Sequence, residues 1–149
     1  MTPIMSILLS IFISIFSFLA GQNSSLSFDG IDDYAHLDWS VNLNEYTVSM
    51  WVKPNSLGQT QWSSYFNSHS RSSDGFQLDC GQSNNFRFST AQGSHDIAPM
   101  TLEWSHVTIT AINQKTIIYF NGDSVVSLDS VEDTFTQIEL GRNRNADTY

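Results

Sequence analysis

From Leu26 onward apolar residues recur at every second position, and no stretch holds a helical 3.6-residue spacing for more than one turn. Thr47–Lys53 sets Val48, Met50 and Val52 against Ser49, Trp51 and Lys53. Pro54, with no N–H to give a ladder, ends the run. Phe76–Cys80 and Asn85–Thr90 alternate in the same way on either side of Gly81–Asn84, which predicts a hairpin. Trp104–Ala111 sets Val107 and Ile109 against His106, Thr108 and Thr110. The sharpest local signal is Asn121-Gly122 between Thr116–Phe120 and Asp123–Leu128. Both central residues of a type I′ turn need positive φ, so these two segments are expected to pair antiparallel. Leu26–Phe28 and Tyr34–Leu37 flank an Asp/Gly-rich turn, and Trp62–Phe66 reads as a short strand inside the polar stretch Leu57–Asp74. Many short strands at this spacing predict an all-β, two-sheet antiparallel sandwich of the jelly-roll kind.

Composition narrows the class. A chain of 149 residues suits one domain, and 14% charged with 13% aromatic residues fits an extracellular β protein. The net charge is −9, and the six cations Lys53, Arg71, Arg87, Lys115, Arg142 and Arg144 are scattered, which excludes a nucleic-acid module. The single cysteine, Cys80, excludes an intrachain disulfide framework and a cysteine-based zinc site; its alternation with Phe76 and Leu78 marks it as a buried thiol. Ile4–Ala20 is apolar, uncharged and followed by Gly21. Residues 1–21 therefore read as a cleaved secretory signal or, if uncleaved, a membrane anchor. Either reading puts residues 22–149 outside the cytoplasm, secreted or at the cell surface. Asn23-Ser24-Ser25 is a glycosylation sequon in a eukaryotic host.

Five segments in order carry a family resemblance: Leu26–Tyr34, Thr47–Pro54, Glu103–Val107, Ile117–Gly122 and Ile138–Arg142. Over about residues 25–149 the chain resembles a laminin G-like domain of the concanavalin A-like lectin and glucanase superfamily. The resemblance implies a jelly roll of two curved sheets used as a binding module in secreted or cell-surface proteins. It also implies a closing strand after Ile138–Arg142, paired beside the first strand. The sequence stops at Arg144–Tyr149 without it, so the domain is expected to be truncated, with an unpaired edge beside Leu26–Phe28.

A glycosidase on such a fold needs two carboxylates at fixed separation on one strand face, written Glu-x-Asp-x-Glu. Glu45, Glu103, Glu132 and Glu139 form no such array, and His36, His69, His95 and His106 are dispersed. His106 reads as a strand histidine hydrogen-bonded beside Trp104. Asp29, Asp32 and Asp33 concentrate carboxylates around Gly30, the hard-oxygen set that Ca²⁺ requires, although Asp and Gly also simply make turns. The resemblance implies that a calcium sometimes lies near this corner with further ligands from the closing strand, which this sequence lacks; Asp147, where the chain should return toward the first strand, is an extra candidate. Trp62, Tyr65, His69, Arg71 and Asp74 supply aromatic, amphipathic and charged groups for a ligand rim, whereas Trp51 and Trp104 are expected in the core. The chain thus reads as a non-catalytic extracellular module that binds carbohydrate or a protein partner through rim loops. Its alternatives are a glycoside hydrolase or polysaccharide lyase of the same superfamily, and an adhesion domain without a small ligand. An acidic surface favours neutral sugars or basic partners.

Overall fold

The computed structural model describes residues 24–59, 62–69, 75–81, 83–131 and 134–142. The apolar segment 4–20, the Asn23 sequon, Arg71, Asp74 and Asp147 fall outside them. Twelve strands are present among the described residues: β1 Ala35–Leu37, β2 Val41–Asn42, β3 Tyr46–Val52, β4 Ser64–Asn67, β5 Phe76–Cys80, β6 Asn85–Thr90, β7 Gly93–Pro99, β8 Ser105–Ile112, β9 Lys115–Phe120, β10 Asp123–Leu128, β11 Thr134–Phe135 and β12 Ile138–Leu140. They form a six-stranded sheet ordered β1-β12-β4-β5-β6-β7, a four-stranded sheet ordered β10-β9-β8-β3, and a small β11-β2 pair. All pairings are antiparallel, which makes the expected two-sheet sandwich. No described helix is long and apolar enough to cross a membrane.

Local chemistry accounts for the hairpins. Asn121 at φ 51° and Gly122 at φ 93° form the tight turn between β9 and β10, which pair Asp123 with Phe120 and Leu128 with Thr116. β5 and β6 pair across Gly81–Asn84, with Leu78 opposite Phe88. The first strand differs from expectation. Leu26–Phe28 is not a strand, and Phe28 instead lies over Gly141, where a Cβ would fall 2.7 Å from its ring. Packing of one ring on a bare glycine fixes this corner in place of a ladder. β7 carries no apolar alternation in Gly93–Asp96, so periodicity passes over it; its ladder to β6 defines it.

The core fills the space between the sheets. Phe66, Phe76, Leu78, Phe86 and Phe88 come from the six-stranded sheet, and Val52, Val107, Ile109 and Ile118 from the four-stranded one. Phe76 is the hub. Its ring meets Tyr46 of β3 at 5.8 Å, Phe66 at 5.3 Å, Phe88 at 5.3 Å and Phe135 of β11 at 5.8 Å edge-on. One side chain thereby touches all three sheets. Cys80 is buried, as its alternation implies.

Phe76→Ala should cost about 3–5 kcal/mol, because the cavity it leaves borders three sheets that cannot all collapse inward. Thermal unfolding should then show a midpoint lowered by roughly 10 °C, and a loss of only a degree or two would remove Phe76 as the hub.

Candidate functional site

The six-stranded sheet turns its second face away from the core, and that face is polar across its whole width. Directly opposed residues run His36–Glu139–Asn67–Gln77–Ser89–Ser94 from β1 to β7. A second row beside it runs Ser64–Asp79–Arg87–Asp96. Period two dictates this: Phe76, Leu78 and Cys80 point into the sandwich, so Gln77 and Asp79 must point out. They are nevertheless buried. Asn67, Gln77, Asp79, Ser89 and Glu139 each expose 5% or less of their surface.

Buried polar groups must find partners, and among these only the Asn67 Oδ1 lacks one. Arg87 forks onto Asp79, with Nε donating to Oδ1 at 2.7 Å and Nη2 to Oδ2 at 3.0 Å. The Ser89 hydroxyl and Gln77 Nε2 donate to the same Oδ2 at 3.1 and 2.7 Å. Burial pushes the Asp79 carboxyl up, and the Arg87 pair, Ser89 and Gln77 pull it back only in part. At the other end Glu139 accepts from Asn67 Nδ2 at 3.2 Å and lies 3.0 Å from His36 Nδ1 and 3.6 Å from Arg142. Arg142 in turn covers the Tyr34 ring at 4.5 Å. Hydrogen bonds to Asp38 and then Glu139 raise the His36 imidazole above its ordinary value.

The segment before β4 borders this face. Trp62 holds φ 69° and is 45% exposed, with its N–H on the Cys80 carbonyl at 3.0 Å. Its own carbonyl accepts from Gln77 Nε2 at 3.5 Å, which ties the rim to the polar row. Tyr65 is half-buried against Phe86, and its hydroxyl donates to Gln59 at 2.9 Å. His69 is half-buried where β4 ends, beside Gly75. Trp62, Tyr65 and His69 thus belong to one stretch of chain; Arg71 and Asp74 lie outside the described residues. An open depression of about 460 Å³ between Asn44, Glu45, Asn113 and Asp129 carries neither aromatic ring nor cation, and offers a sugar nothing to stack on.

Asp29, Asp32 and Asp33 come together at the corner before β1, each with a carboxylate oxygen within 4.8 Å of the others. Asp29 Oδ1 accepts from the N–H of Ile31 at 2.8 Å and of Asp32 at 3.4 Å. These bonds, the Ile31 one foremost, hold its carboxyl below the usual range. All three side chains are exposed.

Two tryptophans depart from expectation. Trp51 is 64% exposed and Trp104 48%. Trp51 sits on the outer side of β3, opposite His106, because Val48, Met50 and Val52 take the inner positions. Its alternation with Ser49 and Lys53 was the available signal; aromatic bulk argued the other way. His106 is a strand histidine as read, but its Nε2 lies 2.8 Å from Ser49 Oγ, and its ring rests against Trp51 rather than Trp104.

A family model described as the concanavalin A-like lectin/glucanases superfamily matches residues 28–149. Among solved structures, the chain is similar to domain 4 of AbnA, a GH43 extracellular arabinanase from Geobacillus stearothermophilus, in complex with arabinotriose. That match has 23% identity, 75% of this chain and 68% of that one covered, and a TM-score of 0.56. It is also similar to a heptameric SAP-like pentraxin from Limulus polyphemus, at 14% identity, 83% and 67% coverage and a TM-score of 0.58. A third is the CBM40 of a Ruminococcus gnavus IT-sialidase bound to α2,6-sialyllactose, at 13% identity, 83% coverage of each chain and a TM-score of 0.53. At these identities the likeness is one of fold. No curated protein matches.

Two outcomes test the polar face. Arg87→Ala leaves Asp79 charged, buried and without its cation, which should cost about 3–5 kcal/mol at neutral pH. Because burial already raises the Asp79 carboxyl, the deficit should shrink as acidification protonates it; a deficit constant with pH would mean that Asp79 is not the group affected. For His36 the raised folded value means its stabilisation is complete below the unfolded value and lost as pH rises through the folded one. The difference in thermal midpoint between wild type and His36→Gln should therefore be present near pH 5.5 and vanish near pH 9.

Proposed function

Because the chain belongs to the concanavalin A-like lectin/glucanases superfamily, we propose that it is a non-catalytic extracellular recognition module. In this reading it binds carbohydrate through the rim loops, at Trp62, Tyr65, His69, Arg71 and Asp74, with the polar face of its six-stranded sheet as their support. The observation that carries the reading is the polar row spanning all six strands, fixed by internal hydrogen bonds and bordered by the exposed Trp62 ring. Sugars are recognised by an aromatic face plus a few prepositioned donors and acceptors. Of the three carboxylates of this face, Asp79 and Glu139 stand on β5 and β12 and are each committed to cationic and amide partners, and Asp96 on β7 accepts from Asn85 Nδ2 at 2.9 Å. That arrangement favours binding over acid–base catalysis.

Two relatives were solved with arabinotriose and sialyllactose, so these are the first probes. With a net charge of −9, the chain should prefer the neutral one. Calorimetric titration of the full chain should show arabinotriose or another neutral glycan binding, weakened about tenfold by Trp62→Ala or Arg71→Ala with the thermal midpoint unchanged. Binding indifferent to both substitutions would refute the rim. Release of reducing sugar from neutral polysaccharides would favour the hydrolase reading instead.

The Asp29, Asp32 and Asp33 corner is the proposed structural calcium site. Three carboxylates within 4.8 Å repel one another, and a divalent ion would relieve that repulsion next to β1. At about a hundredfold excess over Kd, binding to the folded state alone adds about 2.7 kcal/mol. Millimolar calcium against excess chelator should raise the midpoint by roughly 5–10 °C in the wild type and by far less in Asp32→Ala and Asp33→Ala. No shift in the wild type would leave these residues as turn formers.

A further inference from the structure

The two main sheets end on four strands, β1 and β7 in one and β10 and β3 in the other. An edge strand offers unpaired N–H and C=O groups, and folded chains blunt such edges by shortness, bulges, charge or proline. Three of the four are blunted. β1 has only three residues. β7 ends on Pro99, carries Asp96 and bulges at Ile97, between the pairs Ala98–Phe86 and Asp96–Arg87. β10 bulges at Val125, between the pairs Ser124–Tyr119 and Val126–Ile118. β3 has none of these devices. Its seven residues Tyr46–Val52 run in unbroken register with β8 and include neither charge nor proline. Among the described residues β8 is its only strand partner.

The core also stops short at this edge. On β8, Val107, Ile109 and Ala111 are closed to water. Opposite them Met50, Val48 and Tyr46 take inner positions on β3 but stay only partly buried. On the outer side Thr47, Ser49 and Trp51 are exposed, the indole residue by 64%. A core that meets water along one unguarded strand gains when a further strand covers it. The strand's flanks carry the remaining clue. Glu45 and Lys53 stand four residues to either side of Ser49, and both are exposed.

We propose that β3 pairs antiparallel with β3 of a second copy of this chain, about a twofold axis at Ser49, and so joins two four-stranded sheets into one. The charge pattern selects both the occupant and the register, because it is complementary to itself. Centred on Ser49, the pairing sets Glu45 of each copy opposite Lys53 of the partner subunit. It sets Val48 opposite Met50 and Tyr46 opposite Val52 on the core side, and Thr47 opposite Trp51 on the outer side. A slip of two residues in either direction leaves Glu45 and Lys53 facing uncharged residues. Since each copy presents the same patch, the contact closes at two copies. The net charge of −9 on each chain opposes association, and seven residues a side make a small interface, so the dimer is weak and reversible. It uses neither the rim nor the polar row and does not depend on the carbohydrate reading.

The test is sedimentation of the full chain over a range of concentrations at physiological salt. The wild type should show a monomer–dimer equilibrium with Kd on the order of 10–100 μM. Glu45→Lys alone and Lys53→Glu alone should each weaken it about fivefold or more, and the double exchange should restore it. The two single changes move the net charge in opposite directions, so a loss common to both separates local pairing from the overall field. Register is read by cross-linking. In Ser49→Cys the two Cα atoms would lie about 4.5–5.5 Å apart, within reach of a disulfide, so mild oxidation should give a covalent dimer. In Thr47→Cys they would lie about 13 Å apart and should not link. A chain that stays monomeric at millimolar concentration overturns the proposal and leaves the edge to another strand. A dimer indifferent to the charge exchanges, or one that links as readily through Thr47→Cys as through Ser49→Cys, overturns it too.

Discussion

The constraint on which the rest depends is that β5 is buried on both of its faces. Toward the core it offers Phe76, Leu78 and Cys80; away from the core it offers Gln77 and Asp79, and all five are inaccessible. The apolar side needs only shape, which Phe76 supplies by touching rings from three sheets. The polar side needs a partner for every lone pair, since a buried carboxylate left unpaired costs several kcal/mol. Arg87, Ser89 and Gln77 meet that demand for Asp79 from β6 and β5 itself, and so lock the register of the two strands. Glu139 does the same for β12, drawing on Asn67, His36 and Arg142.

The consequence is a polar face whose side chains hold one another in place beneath the rim. The rim residue Trp62 shares in this order, because its backbone closes on Cys80 and Gln77 while its ring stays exposed. The four-stranded sheet follows a different logic: its outward face is rich in hydroxyls around the exposed Trp51 indole, with Lys115 of β9 paired to Asp129 at its edge. Two faces of one sandwich therefore offer unlike chemistry, one with buried ion pairs and the other with exposed hydroxyls and an indole.

Much of the fold was legible because alternation is a local property. Thr47–Lys53, Phe76–Cys80 and Asn85–Thr90 declare their inner faces within a few residues, and Asn121-Gly122 declares its hairpin outright. β7 was not, since Gly93–Asp96 has no apolar partner pattern and is a strand only because β6 offers a free edge. Leu26–Phe28 looked like a strand, but Phe28 finds a better partner in the space above Gly141 than in a ladder. The candidate site was legible in part. Asp29, Asp32 and Asp33 are neighbours in sequence, so their convergence is local. The Asp79–Arg87 and Glu139–His36 pairs join residues whose proximity only the strand order reveals. Trp51 runs against its bulk, which favours burial, because its parity with Ser49 places it outside.

The central claim is that the polar face is built and fixed in the free protein, and the Arg87 Nε proton reports on it directly. Nuclear magnetic resonance of the uncomplexed chain at neutral pH should show that proton as a separate resonance. Its exchange with water should be on the order of a hundredfold slower than that of a free arginine, because it is committed to Asp79 in a buried pair. An Nε proton that exchanges as fast as an exposed arginine's would contradict the account.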